Sequence, residues 1–364
     1  MEKPNIKGKK ATIYDIASEV GTSAATVSRV LSKSGYPVKE ELSRKIFEAA
    51  GRMNYSTNMV GRMLKKSESK DIGVIIPTIS NPFYPQVVLG IELEARHRGF
   101  SILLCNSFRD ASTEKKYIES LYQKQIRGLI ISSMDENHLF LKEMQENGVK
   151  IAVLDQGDQD LKCGKVGFNY IQSGLIAVEY LFKMGHRNIA FITSPLTKRS
   201  RRETLEGYKL AFLKKNLMIR EENILVAQTE EESYTGTYEF ENGRRLTKKL
   251  LDLTDRPSAV FAVNDMTAFG IIQELSNNGV RVPEDISVIG FDNIEVSSMI
   301  NPPLTTVNQP SFETGRLACK LLLDSMDDRE SGELSITLEP TLVERKSVLN
   351  LTSVGIGQEK VKKG

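Results

Sequence analysis

Residues 11–31, ATIYDIASEVGTSAATVSRVL, predict two short helices joined by a tight turn. Apolar side chains of the first helix recur with helical spacing, at Ile13, Ile16, Ala17 and Val20. Thr12 can cap the start of this helix, and Gly21 can end it in the left-handed conformation. Ser23 can then cap a second helix over about 24–31. Two helices joined in this way form a helix-turn-helix.

The second predicted helix is almost bare of large side chains, apart from an inward face formed by Val27, Val30 and Leu31. Its outward positions hold small side chains and one guanidinium, at Ala24, Ala25, Ser28 and Arg29. Such a surface can approach the floor of the DNA major groove, where alanine methyls pack against thymine methyls and arginine pairs with guanine. A third helix over about 39–53 should close the small core with Leu42, Ile46, Phe47 and Ala50. A plain three-helix domain is the alternative.

The charge distribution favours a head that binds a polyanion. Residues 1–66 carry 13 Lys and Arg against 6 Asp and Glu, whereas the remaining residues carry 36 against 41. The sequence contains neither a run of about 20 apolar residues nor the apolar centre of a signal peptide. We therefore expect a cytoplasmic protein without a membrane partner. The three cysteines are far apart and should be buried thiols, not metal ligands: Cys105, Cys163 and Cys319.

From residue 71 onward, short apolar runs alternate with helical stretches such as 85–97 and 267–278. Runs this short fit strands that are buried on both faces of a parallel sheet. They lie at 72–76, 101–105, 128–131, 151–154, 188–192, 224–227, 259–263 and 286–291. The alternation predicts an α/β core of two doubly wound lobes.

Polar residues follow these runs where the strands should end, at Thr78, Asn106, Ser132, Asp155, Thr193, Asn264, Asp265, Asp292 and Asn293. Ligands of open α/β sheets bind beyond the carboxyl ends of the strands, so this set favours a cleft for a hydroxyl-rich small molecule. Helix capping by Asp and Asn is the alternative. The sequence contains no GxGxxG after a strand and no GxxxxGK[ST], GxSxG or HExxH motif. We therefore predict neither an enzyme nor a cofactor.

The chain resembles the lactose-repressor (LacI) family over about residues 11–348. The head segment quoted above resembles its DNA-binding domain, and the core segments that resemble the family include DIGVIIPTISNPFYPQVVLGIE, GHRNIAFIT, PSAVFAVNDMTAFG and VRVPEDISVIGFDN. The resemblance implies an all-α helix-turn-helix head joined by a hinge to an α/β periplasmic-binding-protein-like core. It also implies a homodimer or tetramer of repressors, an effector between the lobes and near-palindromic operator DNA as partner.

The domain boundaries expected from this organisation divide the chain into four regions. These are the helix-turn-helix domain at 1–57, the hinge helix and linker at 58–70, the effector-binding and dimerisation core at 71–349 and a tail at 350–364. The N-lobe should take about 71–168 and 301–334, and the C-lobe about 169–300 and 335–349. The tail shows no heptads, which favours a dimer over a tetramer.

In the head, the resemblance places Ala24, Ala25 and Arg29 at base-reading positions. The other implied DNA-binding residues are Thr12, Tyr14, Ser23, Thr26, Ser28, Asn58 and Leu64. Residues 58–64 match the hinge helix, with Leu64 as a wedge in the minor groove. Gly61 weakens such a helix by about 1 kcal/mol relative to alanine, so we expect the hinge to fold only on DNA.

In the core, the resemblance places the effector-binding residues at Phe83, Tyr84, Asp155, Tyr238, Asn264 and Asp292. One position departs from the family, which usually has an arginine three residues before the glycine that is Gly207 here. This chain has Thr204 instead. Either Arg202 substitutes, or the ligand is an anion such as a sugar acid or phosphosugar, or a protein co-regulator replaces the small molecule. A solvated basic loop is the simplest alternative.

These observations predict a sequence-specific transcriptional regulator, a repressor, that responds to a sugar, sugar acid or phosphosugar. Lobe closure would change the spacing of the two heads on a near-palindromic operator. Two other function classes remain open at this stage. The core alone would suit an exported small-molecule binding protein, and a cleft for sugars would suit a carbohydrate-processing enzyme.

Overall fold

In the computed structural model, the chain divides into two units, which are residues 1–68 and residues 69–364. The residues it describes are 11–31, 37–53, 70–135, 139–154, 161–228, 237–327 and 334–352. The predicted hinge helix, with Asn58 and Leu64, and the predicted cleft residue Asp155 lie outside this set.

The described part of the head contains three helices: α1 (Ile13–Val20), α2 (Ala24–Leu31) and α3 (Glu40–Arg52). Thr12 starts α1 with a capping box, in which its backbone N–H donates to Asp15 Oδ2 at 2.7 Å. Gly21 ends the helix with φ 71°, in the left-handed region. Ser23 Oγ accepts from the Thr26 N–H at 3.1 Å and so caps α2. These caps explain why α1 and α2 have the predicted boundaries.

The head core differs from the prediction at two positions. The buried side chains are Ile16, Ala17, Val27, Val30, Ile46, Ala49 and Ala50. Phe47 is 46% exposed because the buried stripe of α3 follows Ile46, Ala49 and Ala50, and Phe47 lies about 100° away from it. Ala24, which was expected to face outward, is half-buried and packs against the head core.

The N-lobe is built on a six-stranded sheet in which all strands are parallel. Its strands are β1 (Asp71–Ile76), β2 (Ser101–Asn106), β3 (Gly128–Ile131), β4 (Lys150–Leu154), β5 (Gly164–Phe168) and β11 (Ser335–Leu338). Their spatial order is β11-β5-β4-β3-β1-β2, which leaves β2 at one edge. Helices α4 (Phe83–His97) and α11 (Ser311–Met326) cover one face, and α5 (Ala111–Gln123) and α6 (Leu139–Glu146) cover the other.

The C-lobe repeats this plan, except that one of its edge strands is antiparallel. Its strands are β6 (Ile189–Thr193), β7 (Ile224–Val226), β8 (Ala259–Ala262), β9 (Ser287–Asp292), β10 (Thr305–Asn308) and β12 (Thr341–Val343). Their order is β12-β10-β9-β8-β6-β7. Helices α7 (Tyr170–Lys183) and α8 (Arg199–Lys214) cover one face, and α9 (Tyr238–Leu251) and α10 (Asp265–Asn277) cover the other. Two doubly wound lobes are therefore confirmed.

The predicted lobe boundaries near 301 and 335 are wrong. β10 pairs with β9 in the C-lobe, whereas residues 301–334 had been assigned to the N-lobe. β11 pairs with β5 in the N-lobe, whereas residues 335–349 had been assigned to the C-lobe. The eight apolar runs all form strands. The four further strands were missed because they are short or rich in polar residues and glycine: GKVGF, TTVN, SITL and TLV.

Other sequence expectations concern cysteines, metals and membranes. Cys163 and Cys319 are buried and Cys105 is half-buried, all as free thiols. Within the described ranges, no cluster of His, Cys, Asp and Glu could hold a metal ion. Across those same ranges, the search finds no helix with the length and hydropathy needed to cross a bilayer.

Three helix pairs cross at reciprocal glycines, where the two backbones touch. In the N-lobe, a Cβ on Gly90 of α4 would overlap the Phe312 carbonyl of α11, and a Cβ on Gly315 would overlap the Val87 carbonyl of α4. The same relation joins Gly174 with Gly207 between α7 and α8, and Gly243 with Gly270 between α9 and α10. Only glycine permits such an approach.

We expect Gly315→Ala to lower the free energy of unfolding of the core by about 1–3 kcal/mol or more, because the new methyl must push two helix backbones apart. Gly167→Ala is the matched control, since a Cβ there meets nothing within 4 Å. Urea unfolding of both variants measures the difference. Equal stability of the two variants would contradict the account of the crossings.

Candidate functional site

A cleft lies where the strands of both lobes end. Its lining residues come from the segments that follow strands of both sheets: Asn81, Phe83, Tyr84, Arg109, Tyr170, Lys198, Ser200, Arg201, Thr204, Glu239, Val263, Asn264, Phe291, Asp292 and Gln309. This is the position at which open α/β sheets bind ligands.

The structure brings most of the predicted effector residues to this cleft. Phe83, Tyr84, Thr204, Asn264 and Asp292 line it. The Tyr238 ring lies beside it, with its centroid 5.9 Å from the Arg109 Cζ. That these residues bind an effector stays a prediction.

Arg201, and not Arg202, lies in the cleft. Helix α8 begins at Arg199 and contains both Arg201 and Thr204. Because these two residues are three positions apart in one helix, they share a face. The Arg201 side chain is buried and donates to the Pro195 carbonyl at 2.8 Å. Arg202 lies about 100° further round the helix, is exposed, and donates to the Leu196 carbonyl at 3.1 Å. The expectation that Arg202 replaces the family arginine is therefore wrong.

Aromatic rings form two parts of the lining. Phe83 and Tyr84 meet edge to face, with ring centroids 5.2 Å apart. On the other side, the centroids of Tyr170 and Phe291 lie 6.1 Å apart. Aromatic faces of this kind can pack against the apolar face of a sugar ring or stack on a base.

Asn264 has the capping role that was the alternative to ligand binding. Its Oδ1 accepts from the Thr267 N–H at 2.8 Å and starts α10. Only the side-chain oxygen makes this cap, so the amide nitrogen of Asn264 takes no part in it. Asp292 ends β9 in a conformation with φ 110°, and Asn293 follows with φ 58°. Non-glycine residues at positive φ are held there by their surroundings and concentrate at functional sites.

Asp265 holds these two cleft segments together. Its carboxylate accepts from the Ile294 N–H at 2.9 Å, from Ser297 Oγ at 2.6 Å and from Thr306 Oγ1 at 2.6 Å. It therefore ties the start of α10 to the loop after β9. Complete burial raises the pKa of Asp265 to about 6, against the opposite effect of its three donors.

Charged side chains from both lobes meet in the cleft. Arg109 Nη2 of the N-lobe lies 2.7 Å from Glu239 Oε1 of the C-lobe. Arg109, Lys198 and Arg201 are the cationic lining residues, and Glu239 and Asp292 are the anionic ones. Neither Arg109 nor Glu239 was predicted from the sequence. The only local signal was the polar segment that follows β2.

The head presents a second candidate surface, formed by α2 and the start of α1. Ala25, Ser28 and Arg29 are exposed, and they lie on one face because they are spaced i, i+3 and i+4. Tyr14 is 73% exposed. The hydroxyls of three residues that were predicted to contact DNA take part in local helix caps: Thr12, Ser23 and Thr26.

Comparison with known proteins relates both units to one group. Residues 12–58 match the model of the bacterial regulatory proteins of the lacI family, and residues 178–348 match a periplasmic binding protein-like domain. The chain is 33% identical to the HTH-type transcriptional repressor PurR of Aliivibrio fischeri, over 93% of this chain and 99% of that protein.

Solved structures show the same relationship. The Lac repressor dimer bound to operator and the anti-inducer ONPF has a TM-score of 0.81 at 27% identity, covering 94% of this chain and all of that chain. A LacI family transcriptional regulator from Enterococcus faecium with bound ribose has a TM-score of 0.68 at 31% identity, covering 77% of this chain and 99% of that chain.

The raised pKa of Asp265 should make the stability of the core fall between pH 4 and pH 6. In this interval the native carboxyl keeps a proton that the unfolded chain, with a pKa near 3.9, has released. The native state therefore loses about 3 kcal/mol relative to the unfolded state as pH rises through this range. Asp265→Asn cannot titrate, so its free energy of unfolding should vary less with pH. Urea unfolding of both proteins from pH 4 to pH 7 measures the difference, and parallel profiles would contradict the assignment.

Proposed function

Because the chain belongs to the LacI family of bacterial regulatory proteins, we propose that it is a sequence-specific repressor whose operator affinity a small molecule controls from the cleft. One observation carries the DNA-binding part. Helix α2 has an exposed face of Ala25, Ser28 and Arg29, while its opposite face completes the head core. The helix can therefore enter a major groove without exposing apolar side chains of the core.

The exposed face of α2 suits direct readout of bases. The Ala25 methyl can contact a thymine methyl, and the Arg29 guanidinium can donate two hydrogen bonds to one guanine. Tyr14, at the start of α1, is exposed and can contact the backbone phosphates that fix the register of the head.

The cleft favours a hydroxyl-rich effector that carries a negative charge. Asp292, Asn264 and Gln309 offer hydrogen bonds, and the aromatic rings offer faces for a sugar ring. Among the described lining residues three are cationic and two are anionic, and the N-terminus of α8 adds partial positive charge. The relative with bound ribose supports a sugar-like ligand, and the charge excess favours a sugar acid or phosphosugar.

An exposed apolar surface of the N-lobe supports a homodimer. Leu89 and Leu93 of α4 are 43% and 36% exposed, and Leu104 on the edge strand β2 is 45% exposed. Apolar patches beside an open sheet edge mark association surfaces. A second copy bound there would give a two-fold dimer with two heads, as a near-palindromic operator requires.

Selection from a random duplex library, followed by gel shifts at fixed salt, tests this function. We expect a palindromic site that the full chain prefers over scrambled DNA, and a much weaker complex with one half-site. No preference for any sequence would overturn the proposal. If the complex with one half-site is as tight as the complex with the palindromic site, the dimer is removed from the proposal.

In the same assay, Arg29→Ala should lose about 1–3 kcal/mol of preference for the selected site over scrambled DNA, because one bidentate base contact is removed. Arg44→Ala is the control, since Arg44 lies on α3 and pairs with Glu48 at an exposed position. Its effect should be small and equal on both DNAs. If Arg29→Ala weakens binding to both DNAs equally, Arg29 contacts a phosphate and does not read a base.

Asp292→Asn should abolish the response of operator binding to an effector without unfolding the core, because a carboxylate accepts more hydroxyl donors than an amide. Calorimetry with ribose, ribose 5-phosphate and gluconate identifies the bound probe for this comparison. Asp285→Asn, at an exposed ion pair of the same lobe, should leave the response intact. An unchanged dose response of the Asp292 variant would remove Asp292 from the effector site.

A further inference from the structure

The turn that carries Asp292 lies beside the segments that connect the lobes. In the described part of the core, the chain passes from one lobe to the other three times, after β5, after β10 and after β11. Gln309 lies in the crossing after β10, and its N–H donates to the Asp292 carbonyl at 3.3 Å. The Gln309 side chain donates to the Tyr170 hydroxyl, just after the first crossing, at 3.2 Å. Any motion of one lobe against the other must therefore act close to the Asp292 backbone.

Asn293, the residue after Asp292, combines an uncommon backbone conformation with two side-chain hydrogen bonds. Its φ is 58°, in the left-handed region that asparagine and aspartate tolerate best among residues other than glycine. Its Oδ1 accepts from Arg345 Nη2 at 2.6 Å, and its Nδ2 donates to Asn308 Oδ1 at 3.0 Å. Position 293 can therefore matter for its backbone, for its side chain or for both.

The hydrogen bonds of Asn293 belong to a longer series with a fixed direction. Because an arginine only donates, the amide oxygen of Asn293 must face Arg345 and its nitrogen must face Asn308. The oxygen of Asn308 thus accepts, and its nitrogen lies 3.5 Å from Thr341 Oγ1. Thr341 is the first residue of β12 after the crossing from β11, and it is the partner of Asn308 in the strand ladder. We call these four side chains, Arg345, Asn293, Asn308 and Thr341, the polar chain.

Arg345 anchors one end of the polar chain within the C-lobe. Its Nη1 donates to the Leu304 carbonyl at 2.7 Å, and its backbone N–H donates to Thr305 Oγ1 at 2.9 Å. The guanidinium therefore joins the start of β10 to the turn after β9. Since its donor is ionised, the bond to Asn293 is stronger than one between neutral groups.

We propose that Asn293 is a positioning residue that fixes the Asp292 carboxylate relative to the lobe crossings. Arg345 holds its oxygen on the C-lobe side, and Asn308, the last residue before the crossing after β10, holds its nitrogen. A change in the angle between the lobes that moves this crossing displaces Asp292, and a ligand that moves Asp292 acts on the crossing. This consequence for regulation rests on the function proposed above, in which Asp292 binds the effector.

Two substitutions separate the polar chain from a purely conformational role of position 293. Glycine adopts positive φ more readily than asparagine, so Asn293→Gly leaves the turn intact if only the backbone matters. The polar chain predicts the opposite, because glycine neither accepts from Arg345 nor donates to Asn308.

Asn293→Asp should preserve the polar chain. Aspartate tolerates positive φ and still accepts from Arg345. Asn308 can then turn its amide so that the nitrogen donates to the new carboxylate, while the Thr341 hydroxyl donates to the amide oxygen. The series stays complete, with its direction reversed at Asn308.

Hydrogen exchange of the full chain without DNA or ligand tests the proposal. The reporters are the backbone amides of residues 291–296 and 307–312, corrected for intrinsic exchange rates. Asn293→Gly should accelerate exchange about tenfold or more in the first segment and about threefold or more in the second, because a charge-assisted and a neutral hydrogen bond are lost. Asn293→Asp should stay within about threefold of wild type in both. Asn216→Gly is the matched control, since Asn216 is an exposed asparagine of the same lobe at φ 54°, and it should change neither segment.

Wild-type exchange in Asn293→Gly, acceleration confined to residues 291–296, or equal acceleration in Asn293→Asp and Asn293→Gly would each overturn the proposal. Asn308→Ala breaks the polar chain without touching the turn, and serves if the glycine variant fails to fold. It should accelerate exchange of residues 291–296 about threefold or more, and wild-type rates there would also overturn the proposal. Circular dichroism establishes folding. Because neither operator nor effector is used, failure here leaves the regulatory function standing, and failure of the gel shifts leaves the polar chain standing.

Discussion

Backbone contact at glycine-lined helix crossings is the constraint on which the cleft depends. Each of the three crossing pairs carries cleft residues at or near the start of a helix: Phe83 and Tyr84 on α4, Tyr170 on α7, Arg201 and Thr204 on α8, Glu239 on α9 and Asn264 before α10. Since a glycine on each helix meets a carbonyl of its partner, the two axes have almost no freedom to slide. The crossings therefore fix the relative positions of cleft side chains that are distant in the sequence, such as Tyr170 with Thr204 and Glu239 with Asn264.

Because each lobe is rigid, the core can change shape only between the two lobes. Packed interiors switch between discrete arrangements and do not deform continuously. The contacts that cross the cleft are polar, with Arg109 and Asn81 on one side and Glu239 and Asp292 on the other. A charged ligand bound in the cleft would therefore act directly on these contacts. Asp265 completes this design on the C-lobe side, because it holds the segments of Asn264 and Asp292 in one network.

The sequence predicted those parts of the structure that local patterns determine. The bounds of α1 and α2 followed from capping residues and helical spacing, and eight strands followed from apolar runs. The lobe crossovers could not be found in this way, because TTVN and SITL lack an apolar run and their sheet depends on pairing with distant strands. The choice between Arg201 and Arg202 required the first residue of α8, a matter of one position. Arg109 and Glu239 are 130 residues apart, so no periodicity connects them.

The start of α8 is the part of the cleft that supports the proposal of an anionic effector. Arg199, Arg201 and Arg202 occupy its first turn, where the helix dipole disfavours positive charge. Each of them has a partner near the helix start, since Arg199 pairs with Glu203, Arg201 donates to the Pro195 carbonyl and Arg202 donates to the Leu196 carbonyl. Arg201 differs from the other two because it is buried at the cleft, so the cost of burial adds to the unfavourable effect of the dipole. An anionic group bound between Lys198 and Arg201 would offset both costs, whereas a neutral sugar would offset neither.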